Sequence, residues 1–227
     1  MLVEVEPSVW LTPMLVLVLV IALRVVAQGQ ATARQNELTG GPVPPEASQF
    51  WTPEQFEAWN QSVQMLNGPV FLYGFPLLGG ALGVIIGWVL TFAILHLALT
   101  LLGGRGTLRV MMNVTAWALL PFAIRELVRG MWMFYSGTPL QNIGLSGFAP
   151  SDGSGLSNYL SAVLSLVDLY LIWHVAMLII GSHAAVRLPA GQIWIGVLIT
   201  IVIVVGLQAL PGFLQAQLNG FEFVRMF

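Results

Sequence analysis

His96, Asn113, Asp168 and His174 are polar or ionisable side chains set inside long apolar stretches of the sequence. In hydrocarbon such groups are costly, and they serve as hydrogen-bond glue, as steps on an ion path, or as ligands. Helix rise compares their depths. His96 lies roughly 10 Å from a turn at Gly103, Asn113 roughly 9 Å from Thr107, and His174 roughly 12 Å from Ser182. These turns fall on one side of the membrane, so His96, Asn113 and His174 can form one polar layer across three helices. Three chemistries are open to that layer: interhelical hydrogen bonding that fixes packing, a proton or solute path, or a bis-histidine haem or metal site between His96 and His174. Asp168 is deeper, roughly 21 Å from Ser182. Arg24 and Arg125 reach similar depth, which allows a pair between Asp168 and an arginine. Ser161 and Ser165 share a helix face with Asp168 and extend a small polar stripe. Asp168 and His174 do not share a face and are not expected to act together.

Other chemistries lack their residues. There is no Cys, and all eight basic residues are Arg. That removes disulfides, thiolate sites, Schiff-base lysines and the phosphate-loop lysine. The serines near His183 lack a supporting carboxylate and a nucleophile elbow. No Glu-x-x-His and no His-Glu-x-x-His occurs. Gly103-Gly104-Arg105-Gly106 resembles a phosphate-binding loop only superficially, without a preceding strand or a Lys-Ser/Thr pair.

The elements that must hold these residues follow from composition. Of 227 residues 57% are apolar and 8% charged, against roughly a quarter charged in a soluble domain. Mean hydropathy is +0.84 and net charge −2. A soluble enzyme, a disordered chain and a nucleic-acid binder are all disfavoured. The sequence predicts an all-α polytopic membrane protein, a single membrane domain over residues 1–227 with five transmembrane helices.

Those spans are expected at about residues 9–27, 79–102, 108–129, 160–181 and 193–210, each near the length that crosses hydrocarbon. The first has acidic Glu4 and Glu6 before it and no basic residue, so it reads as a retained span rather than a signal peptide, despite Ala31-Thr32-Ala33. Residues 28–68 form an acidic extramembrane loop with Pro44-Pro45 as a breaker. Thr52-Pro53-Glu54 there has the form of an N-cap, a first-turn proline and a first-turn acid. Phe56, Trp59 and Val63 follow at helical spacing, so a short amphipathic helix is expected, lying on the membrane or packed on the spans. Residues 69–78 are assigned to the interface. Gly79, Gly83 and Gly87 recur every four residues and form a helix-packing stripe. Pro121 should kink the third span. Arg125 and Arg129 share a face, and Glu126 reaches Arg129. The tail with Phe213, Phe221, Phe223 and Phe227 reads as interfacial. Arginines divide between both sides, so the positive-inside rule leaves orientation open.

Two stretches carry a family resemblance. Leu101-Leu102-Gly103-Gly104-Arg105-Gly106-Thr107-Leu108-Arg109 leads into a helix with Ala118-Leu119-Leu120-Pro121. Later the chain reads Asp168-Leu169-Tyr170-Leu171-Ile172-Trp173-His174, on to Gly181. The glycine-rich turn, the downstream Pro121, and the segment from Asp168 through Trp173 to Gly181 resemble the Yip (Ypt/Rab-interacting) membrane proteins, in their bacterial branch. The resemblance covers roughly residues 70–210. It implies a non-catalytic five-span protein with a cytoplasmic N-terminus, in a bacterial cytoplasmic membrane. Eukaryotic members associate with small GTPases through a sizeable N-terminal region and carry Asp-Leu-Tyr-Gly. Here the first span starts near residue 9 and Leu171 stands in place of that glycine, so a GTPase partner is not expected. Some bacterial members accompany ABC-type exporters.

The function expected is that of a structural, scaffold or accessory subunit of a membrane complex, with an ABC-type exporter as one candidate partner. The alternative is a small transporter or proton or solute channel using Asp168 and the His96/His174 layer. The expected partners are the lipid bilayer and other membrane proteins, not nucleic acid. No cofactor is expected, haem at His96/His174 being the alternative.

Overall fold

The structure is a computed structural model describing residues 9–39, 42, 44, 46–140, 143–150 and 154–220. All regular structure among these residues is helical. Four runs are long and apolar enough to cross a bilayer: Leu11–Thr39, Val70–Leu101, Leu108–Ser136 and Ala190–Leu214. A bent pair, Gly155–Leu166 and Leu169–Ala185, makes five if it counts as one span. The chain is an all-α polytopic membrane protein. Phe221, Phe223 and Phe227, and Glu4 and Glu6, lie outside the described residues.

The chain divides into two compact units. One consists of Val18–Val84 and Ala123–Leu140. Here α1 (Leu11–Thr39) does not stop near residue 27 but continues through Ala31-Thr32-Ala33. The residues it adds are mostly good helix formers (Gln, Ala, Arg, Glu). Ala27 and Ala31 give it an apolar face, buried with Met133 of α5 (Leu120–Ser136). Gly29 stays a glycine because a Cβ there would collide with the Tyr73 ring. Helix α2 (Pro53–Leu66) starts at the expected cap. The Thr52 side chain accepts from Gln55 N–H while the Gln55 side chain accepts from Thr52 N–H, closing a capping box. None of α2 is buried.

The next run starts at Val70, earlier than the span expected from residue 79. It opens with a π turn at Val70–Gly74 before α3 (Phe75–Leu101). Phe75 N–H reaches back to Val70 O, and Pro76, which has no N–H, follows at once. A widened turn absorbs the missing donor, so the proline does not end the helix.

The other unit holds Met1–Leu17, Ile85–Phe122 and Gln141–Phe227. Its core includes Leu95 and Leu99 of α3, Met111 of α4 (Leu108–Ala118), Leu178 of α7 (Leu169–Ala185), and Ile193 and Val197 of α8 (Ala190–Gly220). Trp10 stacks on Trp88 at 5.0 Å, and Trp88 Nε1 donates to Met112 O at 3.2 Å. Phe213, expected in an interfacial tail, lies within α8, its ring edge-on to Tyr159. The fourth span is broken rather than straight. Helices α6 (Gly155–Leu166) and α7 meet at 64°, because Val167 and Asp168 take extended backbone between them.

Close approach tests the packing of the first unit. A Cβ on Gly130 of α5 would lie 3.2 Å from Arg24 Cα, whereas one on Gly79 meets nothing within 4 Å. Gly130→Leu is expected to cost roughly 1–3 kcal/mol, because backbone must move. Gly79→Leu is expected to leave thermal unfolding in detergent nearly unchanged. Equal losses in the two variants would contradict this placement.

Candidate functional site

Within the first unit, Glu126 is only 7% exposed, and three guanidinium groups converge on it. Arg24 Nε stands 2.9 Å from Oε2. Arg125 Nε donates to Oε1 at 3.0 Å and Arg129 Nη1 to the same oxygen at 3.2 Å. Arg24 Nη1 also donates to Gln28 Oε1 at 2.6 Å, one helical turn on. The cluster ties α1 to α5 through a buried carboxylate. Small residues let it form. Gly130 admits the α1 backbone at Arg24, and a Cβ on Gly80 would press on Ile21 of α1 at 2.9 Å. The Glu126–Arg129 contact follows from helical spacing, but the Arg24 partner needs the fold. No local rule says which acid α1 will meet.

Within the second unit, Pro121 decides a different contact. Having no N–H, it leaves the Trp117 carbonyl without its helical donor. The turn tightens there, and Phe122 N–H donates to Leu119 O at 2.9 Å. The kink expected at Pro121 is thus a break between α4 and α5. Buried His174 then supplies Nδ1 to Ala118 O at 2.6 Å. A carbonyl only accepts, so Nδ1 carries a proton in this contact. The Phe122 ring lies 4.8 Å from the imidazole. His174 thereby joins α7 to the α4–α5 break.

Asp168 is the N-cap of α7, where its Oδ1 accepts from Leu171 N–H at 2.9 Å. Extended backbone and a side-chain cap explain why an acid stands in an apolar stretch. The break it caps leaves no regular run of apolar spacing to mark it, which is why the sequence reads as one straight span. His96 is half-buried on α3, and its carbonyl accepts from Thr100. Asn113 is buried on α4 with Oδ1 lacking a hydrogen-bond partner.

The remaining motif residues shape backbone. Gly103 has φ +95°, a conformation that favours glycine. A Cβ on Gly104 would stand 2.8 Å from Leu99 O, and one on Gly106 2.6 Å from Val186. Arg105 is exposed. Trp173 is exposed as well, and Gly181 packs on Val114 of α4. Of the glycine stripe, Gly87 is buried against Gln208, while Gly79 and Gly83 meet nothing within 4 Å. No group of three or more His, Asp or Glu suited to a metal ion occurs among the described residues.

Long apolar helices whose buried polar groups bond to other helices define an integral membrane protein of several spans. The Yip1 domain model matches residues 2–211, nearly the whole chain, and the protein belongs to the Yip1 domain family. Members of that family are generally non-catalytic membrane-trafficking proteins. No curated protein and no solved structure gives a significant match.

Two substitutions check the contacts. Glu126→Gln removes the buried carboxylate from three partly buried guanidinium groups and is expected to cost roughly 2–4 kcal/mol of stability, somewhat less than for a fully buried pair. His174→Phe keeps the ring but loses the bond to Ala118 O, at a cost of roughly 1–3 kcal/mol. Unfolding in mild detergent reads both, and wild-type stability in either variant would remove that contact from the account.

Proposed function

We propose that this Yip1-domain protein is a non-catalytic scaffold or accessory subunit of a larger membrane complex. The carrying observation is the use to which its buried polar groups are put. Glu126 joins α1 to α5, and His174 joins α7 to the α4–α5 break. Both are interhelical fasteners, as intramembrane polar residues commonly are. Asn113, His96 and the glycine stripe are taken as further packing and contact positions on the same spans. The 227 residues then act as one membrane domain. Outward surface is ample: α2 offers Phe56, Met65 and Leu66 beside Glu54 and Glu57, and the spans carry many exposed apolar side chains.

The partner class favoured is another polytopic membrane protein, with an ABC-type exporter as the first candidate to examine. The resemblance to bacterial Yip-like sequences supports that choice and a bacterial cytoplasmic membrane with the N-terminus inside. Affinity purification from native membranes is expected to bring down a stoichiometric membrane partner. A chain that stays alone in mild detergent, in native lipid particles and after crosslinking would overturn the scaffold reading. Because the sequence has no Cys, a single introduced thiol is unambiguous. Arg105→Cys is expected to resist a membrane-impermeant maleimide added outside intact cells, while Ser146→Cys reacts. The reverse pattern would invert the orientation.

One observation favours a second reading, a small transporter or channel. The α6–α7 break at Asp168 is a discontinuous helix, a feature that solute-binding membrane proteins use. Purified protein in liposomes decides between them. Transport requires proton or solute flux that falls in Asp168→Asn or His174→Ala. The scaffold reading expects none under any imposed gradient.

A further inference from the structure

Two short connections meet at one end of the second unit. Residues 102–107 join α3 to α4, and residues 186–189 join α7 to α8. Close contacts fix how they pass each other. A Cβ on Gly104 would fall 3.0 Å from Leu188 Cδ1, and one on Gly106 2.6 Å from Val186 Cγ1. Residues 104–106 therefore run alongside 186–188 in the opposite sense. Gly104 and Val186 are buried, and Val186 has extended backbone. In extended backbone alternate residues face opposite ways. Arg105 and Arg187, the middle residues of the two segments, are both exposed. The glycine contacts thus set one arginine beside the other on the outer face.

Like charges placed opposite each other repel. Residues 98–111 and 182–193 contain no Asp or Glu to offset them. The ion pairs among the described residues all centre on Glu126 of the first unit. Arg109 in the first turn of α4 and His183 in the last turn of α7 are exposed too, and neither supplies a negative charge. The pair calls for an anion from outside this fold.

Depth and charge narrow that anion. The helices joined here are candidate membrane spans, so their connections lie at a bilayer surface. The headgroup layer is roughly 5–8 Å thick on each side, and connections this short stay within it. Phosphate is the anion abundant at that level, and the guanidinium fork matches its oxygens. One phosphodiester carries a single negative charge and leaves one arginine uncompensated. Two phosphodiesters joined through one glycerol supply a charge for each.

We propose that Arg105 and Arg187 clamp the headgroup of a phospholipid carrying two phosphodiesters, one phosphate to each guanidinium. Arginines that serve only to orient the spans need charge on these connections, but not this pairing or any choice among lipids.

Native mass spectrometry of the full chain would compare cardiolipin, phosphatidylglycerol and phosphatidylcholine as probes. Wild type is expected to prefer cardiolipin to phosphatidylglycerol by roughly fivefold, the worth of one arginine near an anionic membrane surface, and to prefer it to phosphatidylcholine by more. Arg105→Gln and Arg187→Gln should each lower cardiolipin binding about fivefold and erase its preference over phosphatidylglycerol. Both side chains are exposed, so these variants should fold as wild type does. Cardiolipin should raise the melting temperature of wild type, but not that of the double variant. Arg34→Gln, which removes an exposed arginine outside the pair, should leave the preference intact. Equal binding of cardiolipin and phosphatidylglycerol by wild type, a preference that survives the double variant, or an equal loss in Arg34→Gln would overturn the proposal. Displacement of the lipid by inorganic phosphate would also overturn it, in favour of a soluble anion. So would a preference that appears only after Glu4→Gln and Glu6→Gln, because the chain would then supply its own counter-charge.

Discussion

Hydrocarbon offers no hydrogen bonds, so a polar group inside it must find its partner within the protein or its ligands. That constraint organises what is polar in this chain. Arg24 would be costly alone in α1, and it is held against Glu126. Glu126 would be costlier still, and Arg24, Arg125 and Arg129 surround it. Replacing such a cluster with apolar side chains need not destabilise a protein, but removing one member does. The cluster is therefore better evidence of a fixed α1–α5 register than of extra stability.

Backbone obeys the same rule. Three prolines or cap residues interrupt spans, and each interruption is resolved locally. At Pro76 a π turn widens the helix ahead of the proline. At Pro121 the turn tightens and His174 bonds Ala118 O. At Asp168 the side chain caps α7 by accepting from Leu171. A histidine and an aspartate that in the sequence could serve a proton or solute path, or for the histidine a haem or metal, thus have a backbone task in hand.

Much of this was legible in the residues, and the limit of legibility is physical. Apolar runs disclose the spans, and Thr52-Pro53-Glu54 discloses the α2 cap, because both signals are local. The break at Asp168 was not legible. Leu166, Val167 and Leu169 are as apolar as a continuous helix requires, and only the cap geometry ends one helix and starts the next. The extension of α1 to Thr39 was hidden by its polar composition, which reads as loop unless the Met133 contact is known. Glu126 was tied to Arg129 by spacing, whereas its ion pair with Arg24 spans distant sequence and depends on the small residues at Gly80 and Gly130. The family motifs mark positions of backbone geometry, at Gly103, Pro121 and Gly181, more than positions of chemistry.

The central claim is that buried charge in this protein fastens helices. A double-mutant cycle on Arg24 and Glu126 in lipid particles tests it most directly. Each of Arg24→Gln and Glu126→Gln should destabilise strongly, and the pair together should cost clearly less than the two losses added, with a coupling of about 1–3 kcal/mol. Strictly additive losses would contradict the claim, since they would mean that the two side chains do not depend on each other.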